Sequence, residues 1–357
     1  MNNLFYYATK ELSQDAFLRW FISHADCNCD DQEMQGLATQ FLKFLCNDDI
    51  KIEQGKAKVE TFAQLKYMDV VVKIYPDRNS YKHYLLVIED KNGTSEHNQL
   101  VSYDKTIEEW EDKEKVFRVF YKPGLLSQAD LDGIKKAKDK GGKVWEQYNI
   151  NKIYEFFGKI HNCKSQVLND YCDYIRMIHD AFEGKIDKEL DNISINEWEC
   201  FINGQFKEKN VKDKSVIWVG DYQKKYMTIN YQRYFKNSKN GAVIEILVRE
   251  KRYLKCVFHH AFYKDGVNHH WSYEAVSDNN IKSKEIHDKL VKYIEDKNLG
   301  KVKSSAKSVF GKFDEDFEAH TADELIEKVK EWIDRFDKLV NDIDNNNILL
   351  GLEYPER

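Results

Sequence analysis

Asp69 and, twenty residues on, Glu89-Asp90-Lys91 lie in two apolar, strand-like runs, Tyr67–Ile74 and Tyr84–Lys91. Acids and a lysine at the ends of buried strands are costly unless they are paired or bind a metal. Side chains on a strand alternate with period two, so Lys91 shares a face with Glu89. Asp90 points to the other face and reads as a solvated or helix-facing carboxylate. An aspartate, a glutamate and a lysine two positions on are what magnesium-dependent phosphodiester hydrolysis needs. Carboxylates hold a hard cation, which stabilises charge on the phosphate and generates hydroxide near neutral pH. Lys91 then sits beside the attacking water or the scissile phosphate. The plainer alternative leaves Asp69 and Glu89 exposed at strand ends and paired with Lys91.

The elements that must position these residues are legible from periodicity. Residues 11–22 read as a helix. Met34, Leu37, Ala38, Phe41, Leu42 and Leu45 recur at helical steps over 33–46. Strand-like runs follow at about 50–63, 67–75 and 83–90, the last two separated by the turn Pro76-Asp77-Arg78-Asn79-Ser80. Thr94 or Ser95 can cap a helix with Leu100, Tyr103, Ile107 and Trp110 inward. Val116–Tyr121 is a further strand, 127–142 a lysine-rich helix, 144–149 a short strand and 150–183 helical. Gln99 and Tyr103, four apart, share a helix face; Lys105 does not and reads as surface. Glu11 lies in a first helical turn, where the dipole stabilises a carboxylate. Asp15, one turn later on the same face, could contribute to the site, but a surface role is expected.

Helix, three strands, helix, strand is one ordering, and the motifs along it form another: Asn3-Leu4-Phe5 with Thr9–Trp20, Asp69, Glu89-x-Lys91, and Gln99-Leu100-Val101-Ser102-Tyr103. Together they resemble the PD-(D/E)XK nuclease superfamily. The opening helix is similar to that of a bacterial branch with an acidic residue near its start, and the last motif to the QxxxY of the exonuclease-like branch. The resemblance covers roughly the first 150 residues, the size of one domain. Met68 stands where the family has a proline. The resemblance implies an α/β class with an α+β mixed sheet, a restriction-endonuclease-like αβββαβ core. It implies Asp69 and Glu89 as Mg²⁺ ligands, with Mn²⁺ as a substitute and the Asp90 carbonyl completing the set. Glu11 would reach the metals directly or through water and support a second ion. Gln99 and Tyr103 would contact the DNA backbone or orient active-site groups.

A chain of 357 residues is long enough for two domains. With 42% hydrophobic and 32% charged residues it is globular rather than disordered. No stretch approaches the ~20 apolar residues of a membrane span. Met1–Tyr7 lacks the basic and apolar segments of a signal peptide, so the cytoplasm is expected. Seven scattered cysteines suit reduced thiols. A zinc reading of His24, Cys27 and Cys29 has no standard spacing.

The second half changes character. Residues 215–231, 242–250, 253–262 and 268–276 read as antiparallel strands, with turns at Lys239-Asn240-Gly241 and Lys264-Asp265-Gly266. Thr321-Ala322-Asp323-Glu324 is a capping box before an apolar stripe running from Leu325 to Ile343, expected as core and, in a minority reading, as a homodimer interface. The expected organisation is 1–150 nuclease domain, 151–190 helical connector, and 191–357 α+β accessory domain for substrate, partner or trigger recognition. The net charge is −6, but Lys207–Lys255 carries ten lysines and three arginines against five acids. Lys224, Lys225, Arg233, Lys236, Arg249 and Arg252 interleave there with tyrosines and Trp218, either as a nucleic-acid surface or as a solvated sheet face over core aromatics. His259-His260 and His269-His270 read as ordinary strand residues, since adjacent histidines face opposite ways.

These readings converge on a metal-dependent nuclease acting on DNA, a phage-defence or mobile-element effector by resemblance. Two rivals are a catalytically silent nucleic-acid-binding module and a sensor whose nuclease needs a protein or small-molecule trigger. No G-x-x-x-x-G-K-[ST] run occurs, so no motor is expected.

Overall fold

The computed structural model describes residues 3–7, 11–91, 99–110, 113–126, 128–186, 193, 195–206, 216–222, 226–234, 240–249, 253–264, 267–270, 281–296, 309–316 and 319–346. The chain divides into two compact units, Met1–Asp180 and Ala181–Arg357. Both are mixed α and β.

In the first unit, helices α1 (Leu4–Tyr7), α2 (Glu11–Ser23) and α3 (Gln32–Leu45) precede strands β1 (Lys58–Leu65), β2 (Met68–Tyr75) and β3 (His83–Asp90). Helix α4 (Gln99–Glu108), strand β4 (Lys113–Tyr121), helix α5 (Gln128–Gly141) and strand β5 (Glu146–Tyr148) follow, then helices α6 (Ile150–Phe157) and α7 (Gln166–Phe182). The sheet order is β1-β2-β3-β4-β5. β1, β2 and β3 form an antiparallel meander, and β4 and β5 join in parallel. β3 is central, which is why all eight of its residues are buried and its sequence is a continuous apolar run rather than an alternation.

One sheet face packs on α4 and α5 through Val71, Leu85, Val87, Leu100, Tyr103, Ile107, Phe120, Ile134 and Trp145. An aromatic core gathers α1, α2, α3, α6 and α7: Tyr171 stacks on Phe17 at 3.8 Å, and Phe157 meets Phe17, Phe21 and Phe41. Residues 151–180, expected as a connector, are thereby part of the first unit. Met34, Ala38, Phe41, Leu42 and Leu45 bury the expected face of α3, capped by Asp31, whose side chain accepts from the Glu33 and Met34 amides.

Two local differences have backbone causes. The strand expected from residue 50 begins only at Lys58, because Glu53–Lys56 turns around Gly55 at φ +77°. β1 and β2 are joined by Lys66 and Tyr67, both left-handed at φ +52° and +70°, with Leu65 paired to Met68. That is a two-residue turn of the I′ kind, made here without glycine. Left-handed backbone costs a side-chain-bearing residue about 1–2 kcal/mol.

The second unit contains helix α8 (Ile195–Gln205), strands β6 (Val216–Tyr222), β7 (Tyr226–Tyr234), β8 (Asn240–Arg249), β9 (Tyr253–Lys264) and β10 (Val267–His270), helix α9 (Ile281–Asp296), strand β11 (Val309–Asp316) and helix α10 (Ala322–Asn345). The antiparallel order is β10-β9-β8-β7-β6, with β11 on β9 beyond β10. The single strand expected over 215–231 is the hairpin β6–β7. α10 buries its stripe, from Leu325 and Ile326 through Trp332 and Phe336 to Ile343, as core. At its start Thr321 accepts from the Glu324 amide, while Glu324 reaches back to the amide of His320, one residue before the expected partner.

Candidate active site

The alternation of β3 sorts its last residues onto two faces. Glu89 follows Leu85 and Val87 toward α4, and Asp90 faces α2. The register that pairs Val70 with Ile88 brings Asp69 opposite Glu89 one step further along. The backbone amide of Asp90 donates to Asp69 Oδ2 at 3.0 Å, which fixes that carboxylate at the strand end. Lys91 Nζ lies 2.5 Å from Glu89 Oε1, with the two side chains 5% and 0% exposed. The plainer alternative is thus half met: Glu89 does pair with Lys91, but it is buried. The Lys91 ammonium and the Asp69 carboxylate act on Glu89 in opposite directions.

The electrostatics follow from this crowding. Burial first, then the Asp69 charge, push the Glu89 carboxyl up to about 8, against the opposing pull of Lys91. Burial, then Glu89 and Asp69, drive the Tyr103 phenol upward, so it stays protonated as a donor. Its hydroxyl donates to the Tyr67 carbonyl at 2.7 Å. Gln99 Nε2 reaches the same hydroxyl at 3.4 Å, so the expected shared face of Gln99 and Tyr103 is present. Helix α4 is held in register by its next residue: Asp104 accepts from Arg118 Nε at 2.6 Å and from Trp145 Nε1 at 3.4 Å.

On the opposite face Gln14 donates to Asp90, whose carboxyl is raised well above its ordinary range by burial and then by Asp15. Asp15 is therefore buried beside β3, not on the surface as its helical spacing suggested. Its signal was present in the sequence only as a polar pair, Gln14-Asp15, on an otherwise apolar helix face. Lys105 is exposed, as expected. Glu11 opens α2 one turn before Gln14, and its side chain lies outside the described residues. The Thr94 or Ser95 cap also lies outside them.

Asp69 and Glu89 are a hard-oxygen set that suits a small divalent cation. Mg²⁺ is commonly held by one or two carboxylates and keeps several waters. The repulsion that raises Glu89 is what a dication would relieve. Among the described residues no group of three or more His, Cys, Asp or Glu side chains is gathered as a ligand cluster. This applies equally to His24, Cys27 and Cys29; Arg78 donates to Cys27 Sγ at 3.6 Å instead. A cleft of about 560 Å³ lined by Glu33, Phe44, Glu155, Phe156 and His161 contains none of the candidate residues.

Of the six basic candidates in the second half, Arg233 is the one whose side chain is described, and it is ion-paired. Its guanidinium donates to Asp337 at 2.6 Å, and Tyr231 donates to the same oxygen at 2.9 Å. Its charge is met within the unit by a carboxylate too distant in sequence to be paired by inspection. Lys224, Lys225, Lys236 and Arg252 lie outside the described residues, as does the side chain of Arg249 on β8. The same holds for the side chains of His259, His260, His269 and His270.

Comparison with known protein families, with curated proteins and with solved structures finds no match to this chain. Among the described residues no helix is long and apolar enough to cross a membrane.

Proposed function

We propose that the first unit is a metal-dependent nuclease of the PD-(D/E)XK kind, with a restriction-endonuclease-like core and DNA as its substrate. One observation carries the reading: a fully buried glutamate, Glu89, faces a second carboxylate, Asp69, at a sheet end, with Lys91 against it. Like charges so placed weaken a fold and are characteristic of sites where the charge has a use. The order of α2, the antiparallel β1, β2 and β3, then α4 and the parallel β4 supports the same reading.

Asp69 and Glu89 would hold the cation, Mg²⁺ or Mn²⁺, with Glu11 as a further carboxylate at the start of α2. A bound dication would neutralise charge on the phosphate and favour hydroxide formation near neutral pH. Lys91 brings its ammonium to the reacting side of Glu89, where it orients the attacking water and stabilises negative charge on the phosphate oxygens. The reaction is direct in-line hydrolysis, with no covalent enzyme intermediate. Gln99 and Tyr103 position rather than react: the Tyr103 hydroxyl holds the turn that leads into Asp69. The second unit serves recognition of substrate, partner or trigger, consistent with a defence effector.

The close Glu89–Lys91 contact favours a second reading, in which the resting site is closed on itself and a trigger opens it. Cleavage of linear and closed-circular DNA with Mg²⁺, Mn²⁺ or EDTA, by wild type and Lys91→Ala, separates the two. Metal-dependent cleavage lost in the variant is the expected result, and cutting of the closed circle defines an endonuclease. No cleavage under any condition would sink the ungated reading.

A further inference from the structure

The turn between β1 and β2 is built against the preference of its residues. Lys66 and Tyr67 both occupy left-handed backbone, and Gln64 just before them does too, at φ +47°. Turns of this kind select glycine or asparagine, because a side chain there is strained. Tyr67 nonetheless carries a large aromatic ring, and that ring is 90% exposed, so packing does not account for it. The backbone beneath it is fixed: the buried Tyr103 hydroxyl donates to the Tyr67 carbonyl at 2.7 Å. Asp69 follows two residues later. A solvent-facing ring on a tethered backbone therefore stands two residues before Asp69, at the same end of the sheet. Lys66, on the same turn, adds a cation that is half-exposed and only loosely paired with Glu109 at 3.7 Å.

We propose that Tyr67 is a base-stacking residue and that the substrate of this site presents an unpaired base next to the scissile phosphate, as in single-stranded DNA or a frayed or overhanging duplex end. This rests on the nuclease reading above. An aromatic ring on a turn can cover only a base whose face is open; inside a duplex both faces are already stacked. Cation plus aromatic at one turn is the pattern by which proteins hold single strands without reading sequence. The αL strain is then tolerated for the ring.

The test uses the full chain on a Lys91→Ala background, so that affinity is read without cleavage. Tyr67→Gly, Tyr67→Asn and Tyr67→Phe are compared by fluorescence anisotropy, with Mg²⁺, on a labelled single-stranded oligodeoxynucleotide and on a blunt duplex of the same sequence. Tyr67→Gly and Tyr67→Asn should bind the single strand about 10-fold more weakly, the size of one lost stacking contact. Tyr67→Phe should bind as the parent does, and the duplex should change little. Melting temperatures of the glycine and asparagine variants should stay level or rise, which separates lost stacking from lost folding. A 2-aminopurine base in the single strand should be quenched by the parent and not by Tyr67→Gly. Unchanged single-strand affinity in both variants, or an equal loss on the duplex, would overturn the stacking assignment while leaving the nuclease reading intact. A parent protein that binds neither oligonucleotide would overturn both.

Discussion

Two buried lysine–carboxylate pairs stand at the C-terminal ends of neighbouring parallel strands. Lys91 follows β3 and meets Glu89; Lys122 follows β4 and meets Asp130 on α5. Both pairs are almost wholly buried, and their separations are 2.5 and 2.8 Å. Lys122 Nζ donates a hydrogen bond to Asp130 Oδ2 across eight residues, from the end of β4 to α5. Glu89 faces Asp69 as well as Lys91, and burial and then the Asp69 charge raise its carboxyl against the pull of Lys91. The first arrangement ties a helix to a strand; the second crowds two carboxylates and a lysine at one sheet end. Burial is common to both pairs; the charge of Asp69 beside Glu89 raises that carboxyl further.

The largest effect should fall on the closed pair. Asp130→Ala leaves Lys122 buried without its carboxylate, a loss of about 3–5 kcal/mol. For a unit of this size that lowers the melting temperature by roughly 6–20 °C, and Lys122→Met combined with Asp130→Leu should recover most of it in calorimetry. Lys91→Met should cost clearly less stability at pH 6, because Glu89 already holds a proton there and is left with no buried charge to compensate. The same change should lower metal-dependent DNA cleavage by about 10²–10³-fold, the scale for losing one charge-stabilising group. If Lys91→Met destabilised the fold as much as Asp130→Ala, the contrast between the pairs would be lost.

Asp69→Asn sharpens the comparison from the other side. It removes the repulsion on Glu89, so the metal-free protein should melt higher at pH 8, while the rise in melting temperature on adding Mg²⁺ should vanish. The same linkage has a pH signature. Glu89 binds its proton up to about pH 8 in the folded chain, against an ordinary value of 4.5. The folded state then holds more protons than the unfolded one between those values, so this contribution to stability is present below about pH 4.5 and is lost as pH rises through 8. Denaturant melts in EDTA should show that decline, and Glu89→Gln or added Mg²⁺ should flatten it. A decline that persists in Glu89→Gln would assign it to another group.

What could be read in advance was what repeats within a short window. Period-two alternation placed Glu89 and Lys91 on one face and Asp90 on the other, and the ion pair and the Gln14 bond agree. Four-residue spacing joined Gln99 to Tyr103. The stripe of α10 announced its burial. Where windows were long or uniform the reading blurred: 50–63 merged the turn at Gly55 with a strand, and 215–231 merged a hairpin into one strand, because the sequence between Tyr222 and Tyr226 carries no glycine or proline to mark the break.

The amino-acid sequence by itself determined the order of helices and strands in the first half, the faces of β3, and the residue types able to hold a hard cation, since each depends on local spacing and intrinsic chemistry. Only the tertiary structure decided which groups meet. Strand register set Asp69 opposite Glu89, helix packing carried Gln14 and Asp15 to Asp90, and a contact across 36 residues set the Tyr103 hydroxyl on the Tyr67 carbonyl. Arg233 found Asp337 across 104 residues. Such pairings are selected by the sum of packing, register and loop closure over the whole unit, and no window of the chain contains that sum.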